Sequence, residues 1–172
     1  MAGDRVWQLT WREGVARVYA RNGLRLLRTV PYDGEGWGIC FDGRRLVTSD
    51  GSSRLAFRDP VSFRVLRRVR VTLDGPARVR AGLAAGAVER LNELECVGGS
   101  VYANVWQTDL IVRIDPGSGR VSAVIDASGL LPPAAAAAAD VLNGIAYDPA
   151  RKLFLLTGKL WPRLYEVRLA PR

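Results

Sequence analysis

An internal repeat constrains the fold of this chain more than any other feature. Residues 43–60, GRRLVTSDGSSRLAFRDP, align without a gap on residues 99–116, GSVYANVWQTDLIVRIDP, at an offset of 56. Both copies read as a glycine turn, an apolar strand, a short polar turn, a second apolar strand and an Asp-Pro turn, in which proline favours a type I turn. Weaker copies are residues 142–169 and residues 5–32, the latter without its first strand. The sequence therefore predicts an all-β repeat protein.

The spacing of the copies favours a β-propeller. Repeats of roughly 40–50 residues with about four short strands each are typical of propeller blades. Two inserts, residues 73–91 and residues 127–141, stretch the spacing in this chain. A small β-sandwich is the second possibility, because it is also a string of short strands with turn signals. We predict a single β-propeller domain over residues 1–172.

The basic charge has a simpler explanation than a nucleic-acid partner. The net charge is +8, but the arginines are scattered, with a loose cluster in residues 64–70, and the lysines are Lys152 and Lys159. Arginines on an outer strand are a common protection of an exposed sheet edge. The arginine usage and the alanine run at residues 134–139 resemble coding from a GC-rich bacterial genome. We expect a monomer with no nucleic-acid partner.

We find no sequence pattern of a membrane-spanning helix or of a signal peptide. No run of 18 or more apolar residues exists, which is the length that a membrane-spanning helix needs. The N-terminus lacks the basic and apolar regions of a signal peptide. We expect no membrane partner and assign no localisation.

Residue types restrict the chemistry. The chain contains no histidine, which excludes Ser-His-Asp triads, Cys-His pairs and His-ligated zinc. Cys40 and Cys96 occupy comparable places in successive repeats, where they are either buried small hydrophobes or a disulfide between neighbouring blades. Catalysis would have to use carboxylates, amides, indole N–H groups and lysine.

Polar and aromatic residues recur at corresponding places in the repeats. Trp37 precedes the first strand of its repeat, Asn92 and Glu93 hold the matching place in the next, and Asn143 in the one after. First strands line the channel of a propeller, so these residues are expected to converge at one end of it.

A second set lies in the turns beyond the second strands. Trp106 and Gln107 occupy this turn in one repeat, and Lys159 and Trp161 occupy it in the next. Turns on one side of adjacent blades form a common rim, where functional residues are often found.

These motifs and their order resemble the plant and bacterial type of glutaminyl cyclase, the glutamine cyclotransferase family. The matching segments cover nearly the whole chain outside the inserts: RVWQLTWRE, GEGWGICFDGRRLVTSDGSS, LNELECVGGSVYANVWQTDLIVRIDP, VLNGIAYDP and TGKLWPRLYEV. The resemblance implies a five-bladed β-propeller. It also implies an acyltransferase that needs no cofactor, converts the N-terminal glutamine of a peptide to pyroglutamate and releases ammonia. Members of the family are often secreted or periplasmic.

The resemblance also implies roles for individual residues. Asn92, Trp106 and Lys159 match catalytic positions, with Asn92 gripping the amide and Lys159 stabilising charge, while Trp106 and Trp37 are both assigned to the pocket walls and to donation of their indole N–H groups. Trp37, Gln107 and Asn143 are assigned to substrate binding: Trp37 matches a family position as a pocket wall, and the other two are added from their places in the repeats.

The chain departs from the family pattern at its N-terminus. Family members begin with a further blade that carries an FTQGL-like phrase and a glutamate, the candidate proton shuttle, followed by an FGEGI-like strand. By this comparison the chain holds about three and a half of five blades. The nearest remaining acid is Glu35. The alternative function is therefore a non-catalytic propeller remnant that binds peptides or proteins. Glu93 and Glu95 are expected either to pair with arginines or to hold a structural calcium.

Overall fold

The computed structural model describes residues 2–74, 83 and 86–170, and almost all of its regular structure is β-strand. The strands of the first half are β1 (Arg5–Leu9), β2 (Val15–Ala20), β3 (Leu26–Pro31), β4 (Gly38–Phe41), β5 (Leu46–Ser49), β6 (Arg54–Arg58), β7 (Val65–Arg70), β8 (Thr72–Leu73) and β9 (Gly86–Ala87). Those of the second half are β10 (Leu91–Val97), β11 (Ser100–Val105), β12 (Leu110–Ile114), β13 (Val121–Asp126), β14 (Leu142–Asp148), β15 (Leu153–Gly158) and β16 (Tyr165–Val167). One short helix, α1 (Pro133–Ala136), lies in the second insert.

The larger sheets are antiparallel meanders in which neighbouring strands follow one another along the chain. We call them the first sheet (β1-β2-β3), the second sheet (β4-β5-β6-β7), the third sheet (β10-β11-β12-β13) and the fourth sheet (β14-β15-β16). The short strands β8 and β9 pair inside the first insert. Four-stranded meanders of this kind are the building unit of propellers.

The two strongest sequence copies form matching hairpins in the second and third sheets. In each copy the Asp-Pro turn is closed by its aspartate, whose carboxylate accepts a hydrogen bond from the backbone N–H three residues later. The distances are 2.6 Å from Ser62 to Asp59 and 2.7 Å from Ser118 to Asp115. The same turn chemistry therefore ends the third strand of both sheets.

The first sheet corresponds to the last three strands of this pattern. Its β2–β3 turn is closed by the Ala20 N–H, which donates to the Arg25 carbonyl at 2.9 Å, as the Asp59 N–H donates to the Arg64 carbonyl at 2.9 Å. Strand β1 thus stands where β5 and β11 stand in their sheets. This agrees with the prediction that the copy in residues 5–32 lacks its first strand.

Neighbouring sheets share buried apolar clusters. The first and second sheets meet at a cluster that includes Trp7 and Phe63, whose rings stack at 4.9 Å. The second and third meet at the largest cluster, which includes Phe57 and Leu94. The third and fourth meet at a cluster around Leu156. Consecutive packing of separate meanders differs from a β-sandwich, which would place two sheets face to face.

The first strands of the sheets lie next to one another. Strand β10 packs between β4 and β14. A disulfide between Cys40 of β4 and Cys96 of β10 crosslinks the second and third sheets, which settles the alternative that the sequence left open. Across the other junction, the Tyr147 N–H of β14 donates to Glu95 of β10 at 3.2 Å. These strands are therefore the inner strands of the assembly.

The arginine cluster lies at a sheet edge. Strand β7 is the last strand of the second sheet, and Arg68 and Arg70 on it are exposed. Arg67 instead covers the Phe57 ring at 4.0 Å and donates to the Pro116 carbonyl at 2.6 Å. Nothing in the described part of the chain forms an apolar helix of bilayer-spanning length.

Candidate active site

Two tryptophans form an aromatic wall where the second sheet meets the third. Trp37 and Trp106 pack edge to face, with ring centroids 5.4 Å apart and an interplanar angle of 84°. Gly51 makes room for this wall: it has a φ of +83°, and a Cβ built there would lie 2.7 Å from the Trp37 ring. A side chain at position 51 would therefore displace the indole as well as strain the backbone.

Backbone hydrogen bonds from Arg90 hold the wall in place. The Arg90 N–H donates to the Gly51 carbonyl at 2.8 Å, and the Arg90 carbonyl accepts from the Trp106 N–H at 2.9 Å. Its guanidinium donates to Oε1 of Gln107 at 3.2 Å. The sequence analysis missed Arg90, because it lies inside the first insert, where the repeats could not be aligned.

The Trp37 indole N–H is bound by a carboxylate. Oε2 of Glu35 accepts hydrogen bonds from Nε1 of Trp37 at 2.7 Å and from Nε1 of Trp11 at 2.8 Å. The bond from Trp37, followed by that from Trp11, lowers the pKa of Glu35 below its ordinary value. In this arrangement Trp37 offers a substrate its ring and not its N–H group.

Asn92 lies in a bulge of the inner strand β10. The pairing of β10 with β11 shifts between Leu91 and Leu94, and Asn92 is buried there. Its carbonyl accepts from Oγ of Ser49 at 2.6 Å. A Cβ on Gly38 would lie 2.2 Å from the same carbonyl, so glycine permits the close approach of β4 and β10. Ser49 also had no signal in the sequence, since its role depends on contact between two sheets.

Asn143 occupies the same place in the fourth sheet. Strand β14 pairs with β15 through a shift between Leu142 and Ile145, which matches the bulge of β10. Oδ1 of Asn143 is buried. Asn92 and Asn143 are thus structurally equivalent positions on adjacent inner strands, as the sequence copies predicted.

Lys159 lies at the same end of the fourth sheet. It follows β15, as Trp106 follows β11, and its side chain is exposed. The Lys159 N–H donates to the Val141 carbonyl, and its own carbonyl accepts from Asp140, both at 2.9 Å. Trp161 lies on Gly158 and donates from Nε1 to the Asp140 carbonyl at 2.8 Å. The turn is therefore ordered by backbone contacts.

An acidic pair lies on β10 beside Asn92. Burial, and then the like charge of Glu95, raises the pKa of Glu93 from 4.5 to about 7. Burial also raises the pKa of Glu95. Glu93 lines a groove of about 530 Å³ together with Trp37 and residues of β1 and β4. No arginine pairs with either acid among the ion pairs of the described residues.

The described residues do not provide a set of ligands for the structural calcium ion that the sequence analysis considered. Within the described ranges, no group of three or more acidic, cysteine or histidine side chains is placed to hold a metal ion. A calcium site normally collects six to eight oxygen ligands. The structural calcium therefore stays a prediction.

The predicted residues fall into two groups at one end of the sheets. Trp37, Trp106 and Gln107 lie at the junction of the second and third sheets, with Asn92 on the adjoining inner strand. Asn143 and Lys159 lie on the fourth sheet, where Leu142 pairs with Gly158. Their roles toward a substrate stay predictions.

The chain matches a family model described as glutamine cyclotransferase over residues 1–169. The chain belongs to the glutamine cyclotransferase family. It is 35% identical over 173 residues to a glutaminyl-peptide cyclotransferase of Arabidopsis thaliana, covering 98% of this chain and 51% of the relative. The chain thus spans about half the length of this curated relative.

A solved structure of a glutaminyl cyclase has the same fold. The crystal structure of glutaminyl cyclase from Myxococcus xanthus superposes with a TM-score of 0.85 at 43% identity, covering 98% of this chain and 69% of that one. Together with the arrangement of the meanders, this similarity confirms the β-propeller fold class. The number of blades and the extent of the domain stay predictions.

Proposed function

We propose that this chain carries the glutaminyl-peptide cyclotransferase site of its family and converts the N-terminal glutamine of a peptide to pyroglutamate. The observation that carries the proposal is the Trp37–Trp106 wall, with Asn92 buried on the adjoining inner strand. The name of the Arabidopsis relative supports it, although this chain spans only part of that protein.

The reaction is an internal acyl transfer. The α-amine nitrogen forms a bond to the γ-carbonyl carbon, and the bond from that carbon to the amide nitrogen breaks. The amine loses a proton and the leaving nitrogen gains one, so ammonia departs and nothing is oxidised or reduced. A single acid/base can carry this proton from one nitrogen to the other. The carbonyl oxygen is anionic in the tetrahedral intermediate and needs hydrogen-bond donors.

The proposed site divides these tasks among its residues. The indole faces of Trp37 and Trp106 hold the folded side chain in its ring-forming conformation, which lowers the entropic part of the barrier. Asn92 grips the amide, while the Trp106 N–H and the Lys159 ammonium stabilise the developing negative charge. Gln107, oriented by Arg90, supports the rim beside Trp106.

Glu93 is the acid that suits proton transfer best. Its pKa of about 7 lets it accept and return a proton near neutral pH. It lines the same groove as Trp37. Glu35 fits the task less well, because two indole N–H groups hold it in the charged form.

Ammonia release from a Gln-initiated dipeptide tests the proposal directly. Lys159→Met is expected to lower kcat/KM at least about tenfold, because it removes the charge that stabilises the oxyanion. Lys152→Met is the matched control. Lys152 is the other lysine of the chain and lies in the exposed β14–β15 turn, at the opposite end of β15. We expect this control to keep the activity of the unaltered chain.

Other outcomes have distinct meanings. Equal activity of the two lysine variants would remove Lys159 from the site. Binding of the dipeptide without ammonia release by the unaltered chain would contradict the proposed activity and favour the peptide-binding remnant.

A further inference from the structure

Strand β1 has an open edge within the described part of the chain. It pairs with β2 on one side, and no strand of the first sheet lies on its other side. The Arg21 N–H donates to the Asp4 carbonyl at 2.8 Å, so the adjacent Arg5 stands in a non-hydrogen-bonded pair with β2. Because such pairs alternate along antiparallel strands, Trp7 and Leu9 also direct their backbone N–H and C=O groups away from β2.

The same edge is already paired at its start. Arg5 exchanges two backbone hydrogen bonds with Ala2, at 3.2 and 3.0 Å, across a tight turn in which Gly3 has a φ of +61°. Arg5 therefore uses the outward-facing groups that Trp7 and Leu9 leave unpaired among the described residues. Strand β1 thus has the conformation of a paired strand along this edge.

A groove of about 530 Å³ lies beside the open edge. It is lined by residues of β1, by Trp37 and Ile39 at the start of the second sheet, and by Glu93 of β10. Strand β1 stands where β5 and β11 stand, and these pair on this side with the inner strands β4 and β10. In the fourth sheet, β15 pairs with β14 in the same way. The groove therefore lies where the other three large sheets hold an inner strand.

We propose that this groove binds an extended segment of a separate polypeptide, which pairs antiparallel with β1 as a fourth strand of the first sheet. Addition of a strand to an open sheet edge is a recurring mode of peptide recognition, in which main-chain hydrogen bonds supply the affinity. The inference concerns a binding partner and does not depend on the proposed cyclotransferase activity.

The side chains around the groove define the chemistry of this partner. Its residues opposite Trp7 and Leu9 would point to the same face of the sheet as these two side chains. That face packs on the buried cluster shared with the second sheet, to which Ile39 and Phe41 of β4 contribute. The intervening residues of the partner would lie on the face of Gln8, which is exposed. The partner is therefore a strand with apolar residues at alternate positions and polar or small residues between them.

The inner strand of the fourth sheet supplies a probe of this kind. A labelled peptide that copies residues 142–148 carries Ile145 and Tyr147 two positions apart, and both pack on the apolar cluster of their own sheet. In an antiparallel register they would stand opposite Leu9 and Trp7, respectively. Saturable binding of this peptide to the chain is expected in fluorescence anisotropy.

Backbone methylation tests the pairing itself. N-methylation of the peptide at Ile145 and Tyr147 removes the two N–H groups that would face β1, and is expected to weaken binding at least about tenfold. N-methylation at Gly144 and Ala146 removes N–H groups that would face away from β1, so this peptide is the matched control and is expected to bind like the unmethylated one. All three peptides carry the same side chains, so a difference in affinity reports the backbone hydrogen bonds.

Amide hydrogen exchange of the chain locates the bound peptide. The Trp7 and Leu9 amides are expected to exchange more slowly in the complex, because the peptide accepts their hydrogen bonds. The Val6 and Gln8 amides already face β2 and are expected to change less.

A variant of the groove wall gives an independent check. Ile39→Asp places a charge on the apolar side of the groove and is expected to weaken peptide binding at least about tenfold. Leu66→Asp, at an exposed leucine of β7 that does not line the groove, is the control and is expected to leave the affinity unchanged.

Three results would overturn the inference. They are absence of saturable binding, equal binding by the two methylated peptides, and protection from exchange that is confined to other sheets. A dimer of the chain that the peptide does not dissociate would also overturn it, since a second copy would then cover the groove.

Discussion

The pKa values of two carboxyl groups near Trp37 are shifted in opposite directions: that of Glu35 is lowered and that of Glu93 is raised. Glu35 accepts from two indole N–H groups, and these bonds stabilise its charged form. Glu93 lies on a buried stretch of β10 beside another acid, and both effects favour its neutral form. Although each is a glutamate within a few residues of a predicted site residue, their surroundings give them different chemistry.

The raised pKa of Glu93 makes stability depend on pH. The folded state holds this proton more tightly than the unfolded state, so stability is full below about pH 4.5 and falls as the pH rises toward about 7. One pKa unit corresponds to about 1.4 kcal/mol, so the loss is at most about 3 kcal/mol. In Glu93→Gln this fall is expected to flatten, as measured by urea unfolding between pH 4.5 and 8.

Glu35→Gln provides the comparison for that experiment. The pKa of Glu35 is lowered, so the stability that this group contributes is present at neutral pH and is lost as the pH falls into the acid range. Glu35→Gln is therefore expected to leave the slope of stability between pH 4.5 and 8 unchanged. An unaltered slope between pH 4.5 and 7 in Glu93→Gln would show that another group is responsible.

At the scale of single residues, the sequence predicted the positions of the site residues in the repeat better than it predicted their hydrogen bonds. Trp37, Asn92 and Asn143 could be matched because the repeat carries them to equivalent positions. The capture of the Trp37 N–H by Glu35 could not be predicted, because it depends on the path of the loop before β4. The support that Arg90 gives to Trp106 likewise arises from a contact between two sheets.

At the scale of elements, bulges position the site. The inner strands β10 and β14 both break their pairing near their starts, between Leu91 and Leu94 and between Leu142 and Ile145. A bulge bends the strand and turns a side chain away from strict alternation. The alternation of apolar and polar residues predicted the strands themselves. It gives no signal for a bulge, in which an extra residue has no partner on the neighbouring strand.

The disulfide between β4 and β10 is expected to stabilise the fold measurably. It closes a loop of 56 residues, and the chain-entropy model assigns such a loop about 4 kcal/mol. The double variant Cys40→Ala, Cys96→Ala is expected to lose about 2–5 kcal/mol of unfolding free energy in guanidinium titrations.

Reductant supplies the control for this loss. It should destabilise the unaltered chain by a similar amount and leave the double variant unaffected, since these are the two cysteines of the chain. Equal stability of the oxidised chain and the double variant would contradict the expectation.

At the scale of the whole molecule, stability is distributed over the junctions between sheets. Each buried cluster joins one sheet to the next, and each sheet contacts its sequence neighbours. Repeat proteins of this kind behave approximately as a sum of local stabilities and nearest-neighbour terms. The repeat in the sequence predicted this organisation, whereas the disulfide and the inter-sheet hydrogen bonds needed the structure.

A cavity at one junction is expected to loosen that junction first. Leu156→Ala, in the cluster between the third and fourth sheets, should cost about 2–5 kcal/mol, because the buried side chain leaves a void. Amide hydrogen exchange should accelerate in β14–β16 more than in β4–β7. Leu164→Ala, at an exposed leucine in the loop before β16, is the control and should change little. Equal acceleration in all sheets would mean that the molecule unfolds as one unit.

The crosslink between the inner strands also determines how the molecule would respond to a mechanical load. A force applied to the two chain ends passes through the Cys40–Cys96 bond and bypasses the segment between them, residues 41–95. That segment would span about 190 Å if fully extended. A stretched molecule with the disulfide intact therefore cannot extend by this length. The second sheet lies within the disulfide loop from β4 onward, so it carries no tension until the disulfide is reduced.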